Sequence, residues 1–303
     1  GWYDLAIVVS PTNVNEVYVG GVNMWKSTNG GSSFSKLTNW YNDGSGSATI
    51  HADQHWFEFN SGNLFVGNDG GVFKTTTGGS TFSEITNNMA ISQVYKLSSG
   101  QNASTNFIIG MQDNGSRISN SGTYAYATGG DGMECLIDHS NSNVIFSSSQ
   151  YGNINRSTNG GTSFSDISPN GGNGPWITPF VMDPNNSNIL YLGDDDIYKS
   201  TNNGVNWNQI SAGFSDQIRF MDVSKANSNL IYAATYSNLY KSIDAGLSWV
   251  DITGTLPTGF ASISSVKSNP TNSNQLWVTF SSYSSGNKVF RSDNQGSSWV
   301  NIS

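Results

Sequence analysis

Residues 26–34 read KSTNGGSSF, and residues 156–164 read RSTNGGTSF. The wording returns as KTTTGGSTF at 74–82, KSTNNGVNW at 199–207, KSIDAGLSW at 241–249 and RSDNQGSSW at 291–299. Six copies of one phrase mark an internal repeat, and a repeat of this kind decides the fold. The copies start at Ser27, Thr75, Ser157, Ser200, Ser242 and Ser292, with steps of 48, 82, 43, 42 and 50 residues. The 82-residue step is about twice the others, so one copy has decayed. It falls near Ser119–Gly122, where RISNSGTYAY keeps a strand–turn–strand rhythm without the phrase.

Each phrase closes a set of four strand-like runs. Within 175–211, WITPFVMD, ILYLG, IYKST and NWNQIS are separated by turns at PNNSN, DDD and Gly204. The same pattern fits 5–40, 49–88, 90–128, 133–168, 217–254 and 260–303. Seven units of ~43 residues have the size of four-stranded propeller blades. The expected fold is all-β, a single seven-bladed β-propeller of four-stranded antiparallel blades filling residues 1–303. The chain starts on an innermost strand and ends on an outermost one. The ring is therefore expected to close by packing between blades, with no strand shared across the termini.

Composition agrees. The 303 residues include 34 Gly, abundant Ser, Thr and Asn, and no amphipathic helical run of three turns. The net charge of −8, with only 13 Lys and Arg, argues against nucleic acid, whose phosphates demand clustered cations. No apolar run approaches the ~18–20 residues of a membrane span. The single Cys135 allows no internal disulfide and is expected to be a small buried residue. A low-Lys, Asn/Ser/Thr-rich surface points to a secreted bacterial protein. The start at Gly1, without Met, suggests a processed product or a piece of a longer chain.

The phrase has a physical reading of its own. Its first hydroxyl (Ser27, Thr75, Ser157, Ser200, Ser242, Ser292) and its third residue (Asn29, Thr77, Asn159, Asn202, Asp244, Asn294) are expected to bond nearby backbone amides. Gly31, Gly79, Gly161, Gly204, Gly246 and Gly296 supply a conformation other residues resist. Phe34, Phe82, Phe164, Trp207, Trp249 and Trp299 are expected to pack between sheets. Six copies spread around a ring cannot converge on one ligand, so the phrase carries fold and not function.

Propeller topology sorts the turns onto two faces. One takes the phrases and the similar stretches SPTNVN, DHSNSN, DPNNSN, SKANSN and NPTNSN. The other takes the segments that do not repeat: NDGSGSATIHADQH (42–55), GNDGG (67–71), MQDNG (111–115), TGGDGME (128–134), SSQYGN (148–153), SPNGGNGPW (168–176) and GDDD (193–196). Irregular loops on a regular scaffold are where function is sought. That face carries Asp43, Asp53, Asp69, Asp113, Asp131, Glu134, Asp194, Asp195, Asp196 and Asp216, with few bases in view.

Several candidates follow. At strand spacing His51, Asp53 and His55 would share one side, as a ligand set or an acid–base group would. Hydrogen bonding at a crowded axis explains them as well. Asp53, Asp69, Asp113 and Asp131 could hold Ca²⁺, which takes 6–8 oxygens. The DDD turn at 194–196 is a second cation candidate, though three adjacent charges more often mark a solvated turn. Trp40, Tyr41, Tyr151 and Trp176 suit sugar stacking. With His51, Asp53, His55, Asp69, Asp113 and Asp131 they form the candidate binding set. If the chain is an enzyme, the candidate carboxylates are Asp53, Asp69, Asp131 and Glu134.

GWYDLAIVVSPTNVNEVYVGG, HADQH, GNDGGVFKTT, QDNG, GGDGMECLID and QYGNINRSTNGG, in this order, resemble Asp-box propellers of the BNR or sortilin-like type found in large secreted Bacteroidetes proteins. The phrase itself resembles the Asp box shared by sialidase, sortilin-type and xyloglucanase-type propellers. The resemblance implies a secreted module accompanied by other domains. It does not carry a sialidase site: Arg156 and Arg291 stand at the repeat position held elsewhere by Lys26, Lys74, Lys199 and Lys241, leaving only Arg117 and Arg219 for a three-arginine clamp. The sortilin-like peptide site is not carried over either, because the ten blades and disulfide-rich extension are absent. A xyloglucanase-type cleft needs two propellers.

Three functions are thus weighed: a non-catalytic module binding a glycan or a protein on the irregular acidic face; a glycoside hydrolase or lyase using carboxylates there; and a structural spacer or filament subunit. A carboxylate pair in a cleft would favour the second, and an exposed aromatic platform the first.

Overall fold

The computed structural model describes every residue except 1–3, 88, 90, 101, 102, 170, 212 and 284. Among the described residues there is no α-helix, one 3₁₀ turn at Gln150–Gly152, and seven four-stranded sheets, all antiparallel. Each sheet comes from one continuous stretch whose strands pair in chain order. The chain divides into two compact units, residues 1–92 and 93–303.

The first unit holds two of the sheets. The first sheet is formed by Ala6–Val9, Val17–Gly20, Met24–Ser27 and Ser35–Lys36, the second by Gln54–Asn60, Asn63–Asn68, Gly71–Thr75 and Ser83–Glu84. Between them Thr38–Asn39 runs parallel to Ala48–Thr49, a pairing the repeat does not foreshadow. It is secured by burial: Thr38 and Asn39 are almost fully enclosed, and the Thr38 hydroxyl accepts the Met24 N–H at 3.0 Å.

The second unit holds five sheets, spanning 94–128, 135–166, 180–209, 220–251 and 262–301. Its core is a set of layers, each filled by two consecutive sheets. Side chains along a strand point alternately to opposite faces. Leu190 and Leu192 therefore join Phe146 and Phe180, while Tyr191 between them joins Ile197, Ile231 and Ala233. In the next sheet Ile231 and Ala233 face back, while Tyr232 and Ala234 face forward to Ile263 and Val278. Middle strands are buried on both faces, which is why ILYLG and IYAA read as nearly continuous apolar runs. Each such Leu or Ile contributes about 1.5–3 kcal/mol relative to exposure.

Outer strands are short. Six of the seven have two residues, both exposed. Edges this short offer little to a passing strand. The exception is Thr123–Thr128 in the third sheet, which lacks the phrase and turns through Ser121 and Gly122 at φ 52° and 86°.

The phrase forms the same turn each time. In the fifth sheet the buried Ser200 hydroxyl donates to Asn202 Oδ1 at 3.0 Å and accepts the N–H groups of Asn202 and Gly204 at 3.3 and 2.8 Å. Asn202 Oδ1 also accepts the Asn206 N–H at 2.9 Å. Ser27, Ser157, Ser242 and Ser292 do likewise. In the second sheet Thr75 and Thr77 substitute with hydroxyls alone. Gly204 and Gly246, at φ 82° and 98°, occupy the left-handed region. They also leave room: a Cβ on Gly204 would collide with Ile167, and one on Gly246 with Ile210, both from the preceding sheet. Of the six aromatics, Phe82, Phe164, Trp207, Trp249 and Trp299 pack on the cores between sheets. Phe34 departs from expectation and stays 41% exposed.

The Asn-rich stretches serve the phrase. The carbonyls of Asn15, Asn143, Asn188, Asn229 and Asn274 accept the N–H of Gly30, Gly160, Asn203, Ala245 and Gln295, the residue before each phrase glycine. In four of the six copies the basic residue ahead of the phrase then reaches the following copy, while Lys74 lies over the Phe65 ring and Arg291 pairs with Asp293. Lys26 donates to the Gly78 carbonyl at 3.4 Å, Arg156 to Asn203 at 2.7 Å, Lys199 to Ala245 at 3.2 Å and Lys241 to Gln295 at 3.0 Å. The repetitive turns, with Lys26, Arg156, Lys199 and Lys241, are thus occupied in holding sheets together.

Candidate binding site

The irregular loops are built differently in each unit. In the first, the second sheet begins at Gln54, so His51 and Asp53 precede the strand and Asp53 has φ 62°. The expected alternation of His51, Asp53 and His55 along a strand is therefore corrected: a left-handed residue breaks the two-residue period. The group still gathers, by other means. His55 Nε2 meets Asp69 Oδ1 at 2.5 Å, and the Asp53 and Asp69 carboxylates approach within 4.8 Å. The His51 carbonyl accepts Gln54 Nε2 at 2.6 Å and Asn68 Nδ2 at 3.1 Å. A side chain at Gly70 would collide with the His51 ring. Burial raises the Asp53 carboxyl, the charges of Asp4 and Asp69 add to this, and His51 and His55 oppose it. On the link after the first sheet, Trp40 and Tyr41 meet edge to face at 4.8 Å, both more than half exposed.

In the second unit the candidates are joined through Gln150. Asp131 is buried; its Oδ1 accepts the Asp113 N–H at 2.8 Å, and its own N–H donates to Gln150 Oε1 at 3.0 Å. The next residue, Tyr151, is held at φ 65° by two backbone bonds, its N–H to the Trp176 carbonyl at 3.4 Å and its carbonyl from the Gly174 N–H at 2.9 Å. Tyr151 and Trp176 stand edge to face, centroids 5.4 Å apart at 84°. They remain 48% and 40% exposed. The Trp176 indole N–H donates to the Tyr95 hydroxyl at 3.4 Å, which donates to Gln112 Oε1 at 3.0 Å. The result is a half-exposed aromatic platform in which the Trp176 indole edge and the Tyr151 backbone are tied down.

Beside it lies a cavity of about 180 Å³ lined by Lys96, Trp176, Ile177, Arg219, Phe220 and Tyr236. A second cavity of about 270 Å³ shares Lys96, Arg219 and Phe220 and runs along the first strands of the third to seventh sheets. Lys96 is paired with Glu134 at 2.7 Å, and Lys267, on the larger cavity, with Asp222 at 2.8 Å. The Arg219 guanidinium lies 4.6 Å from the Tyr236 ring centroid.

The expectation of a face with few bases near its acids is corrected here. Glu134 is in an ion pair, Asp43 has Lys36 at 3.9 Å, and the cavity holds cations of its own. The DDD turn folds on itself: buried Asp194 accepts the Asp196 N–H at its Oδ1 at 2.9 Å, and its carbonyl accepts the Ile218 N–H at 2.7 Å. Burial raises the Asp194 carboxyl, and the charges of Asp195 and Asp196 add to this.

Tyr95, Lys96, Gln150, Arg219 and Tyr236 were not among the sequence candidates. Arg219 had a signal: it is one of two arginines outside the repeat position. Tyr95 and Lys96 open a first strand, where the repeat offers no contrast. Cys135 is buried as expected, and burial pushes its thiol up to about 12.

No family model and no curated protein matches the chain. Among solved structures it is similar to a GH74 enzyme of Niastella koreensis at 17% identity, covering 98% of this chain and 62% of that one, TM-score 0.35. It is similar to a GH74 xyloglucanase of Xanthomonas campestris at 11% identity, covering 99% and 58%, TM-score 0.34. It is also similar to YCF48 bound to D1 peptide at 13% identity, covering 95% and 92%, TM-score 0.48. The chain thus spans less than two thirds of either GH74 protein. No helix among the described residues is long and apolar enough to cross a membrane.

Proposed function

We propose that the chain is a seven-bladed β-propeller with Asp-box turns, acting as a non-catalytic binding module of a secreted or cell-surface bacterial protein. Its ligand is a glycan, held on the irregular face. The observation that carries this reading is the Tyr151–Trp176 platform. Two aromatic faces remain half exposed although backbone and side-chain bonds fix their positions. Aromatic surface held in place by its backbone and by the Trp176 indole N–H is what sugar rings stack on. Near the platform, Asp131 and Glu134 are each committed to other groups.

The test is a glycan array followed by calorimetry on the best ligand. Trp176→Ala should weaken binding about tenfold, ~1.4 kcal/mol, while leaving the melting temperature within a few degrees. Binding unchanged in W176A would sink the platform, and a protein ligand captured in place of any glycan would redirect the reading.

One observation favours a hydrolase as the second reading. Asp53 and Asp69 lie within 4.8 Å, and Asp53 is raised by burial and by neighbouring charge. A carboxyl group raised above its usual range beside a second carboxyl group is an arrangement glycoside cleavage uses. Release of reducing ends from the bound glycan, lost in Asp53→Asn, would establish it.

A further inference from the structure

We propose that Arg219, with Trp176 and Tyr236, forms a subsite for the carboxylate of a hexuronate residue in an acidic polysaccharide. This rests on the glycan-binding reading above and names the class of sugar.

The charge balance around the two cavities leads there. Three cations line them: Lys96, Arg219 and Lys267. Lys96 is neutralised by Glu134 and Lys267 by Asp222. Among the described residues, Arg219 has no carboxylate within ion-pair distance, and its Nε is buried without a hydrogen-bond partner. A guanidinium without a counter-charge in a partly enclosed site costs free energy, and an anion meeting its terminal nitrogens, which unlike Nε are not enclosed, offsets that cost. In a chain of net charge −8, a locally cationic cavity selects for an anion that the rest of the surface repels.

The shape of the group decides which anion. The Arg219 backbone is anchored, its N–H donating to the Ala234 carbonyl at 2.7 Å, and Tyr236 supports the guanidinium plane at 4.6 Å. Stacking on a ring engages the face of the guanidinium, and its terminal N–H pair matches a planar carboxylate better than a point charge would. The neighbouring walls are Trp176, Phe220 and Tyr236, apolar faces of the kind a pyranose ring lies against. The volume of about 180 Å³ equals about six waters, enough for one sugar ring. A carboxylate borne on a sugar ring combines the two requirements.

The experiment uses the full chain and calorimetry with tetragalacturonate, its methyl ester and neutral galactotetraose, repeated with oligomers of alginate and hyaluronan. Binding of at least one acidic oligomer is expected, weakened more than tenfold by esterification or by Arg219→Met. Arg219→Lys, which keeps the charge and loses the fork, should fall between. Equal binding of acidic and neutral oligomers, or of wild type and R219M, overturns the carboxylate subsite and leaves the glycan-binding reading standing. No binding of any acidic oligomer, with a neutral glycan bound through Trp176, also overturns it. No glycan bound at all removes both. Circular dichroism of R219M, expected to match wild type, separates loss of the subsite from loss of fold.

Discussion

Arg156 extends from the fourth sheet to donate a 2.7 Å hydrogen bond to the carbonyl of Asn203, inside the phrase of the fifth. A single nitrogen makes the bond, so the guanidinium serves here as a cation that a lysine can replace. Lys26, Lys199 and Lys241 make the same reach at 3.4, 3.2 and 3.0 Å. Arg156→Ala should therefore cost about 1–2 kcal/mol in urea unfolding, and Arg156→Lys less than half of that. Equal losses in both would mean that the fork geometry matters and that the reach does not.

Ser200 is fully buried and serves one acceptor and two donors. Ser200→Ala leaves the Gly204 N–H without its partner and should cost about 1–3 kcal/mol. The weakest copy offers the reverse: Thr77→Asn restores the side-chain amide found in four others and should raise the melting temperature. A neutral S200A would show that the turn is held by its glycine and aromatic alone.

Asp244 is the one acidic third residue among the six copies. The Ser248 hydroxyl and N–H and the Ser242 hydroxyl hold its carboxyl down to about 2, against an ordinary value of 3.8. A group lowered on folding stabilises above its unfolded value, and that contribution is lost as pH falls through the folded one. Loss is expected between about pH 4 and pH 2. Asp244→Asn should flatten the acid limb of the stability curve in that window. An Asp244 carboxyl titrating near pH 4 by NMR would contradict the assignment.

Cys135 has a thiol held at about 12 by burial. It should resist alkylation by iodoacetamide at pH 8 in the folded protein and react fully in urea. Rapid labelling under native conditions would show that the core around Ile108 and Ile145 opens.

Calcium, proposed from the acidic loops, reduces in the first unit to Asp53 and Asp69. Two crowded carboxylates welcome a cation, and one that binds only the folded form raises its stability. Millimolar Ca²⁺ should raise the melting temperature by several degrees over EDTA, and Asp69→Asn should remove the rise. An unchanged melt returns the pair to hydrogen-bonded scaffold.

The turns were legible because their chemistry is local. Ser, Asn and Gly at fixed offsets bond one another wherever the phrase is written, and four-stranded antiparallel sheets follow. The site was not legible in the same way. Trp176 and Tyr151 were visible as aromatics in irregular loops, yet Tyr95, 81 residues from Trp176, is what ties the indole. Arg219 and Tyr236 meet through a stacking contact that no spacing announces. His51 and Asp53 misled, because a two-residue period holds only inside a strand, and the strand starts one residue later. Phe34 misled because a phrase fixes its own turn, but what its aromatic packs against depends on the surroundings.

The reach from one phrase to the next has a consequence for how such a chain can lengthen. In the fifth and sixth sheets a stretch of about forty residues carries both halves of its own joint, an outgoing cation and a waiting carbonyl. Copying the stretch in tandem copies the joint, so a duplicate arrives already able to dock. The third sheet, which lacks the phrase, lacks this joint too: Arg117 stacks on Tyr126 of its own sheet, and Ile118 packs against Gly161 of the next. A unit can lose the polar joint and stay seated by its apolar contact.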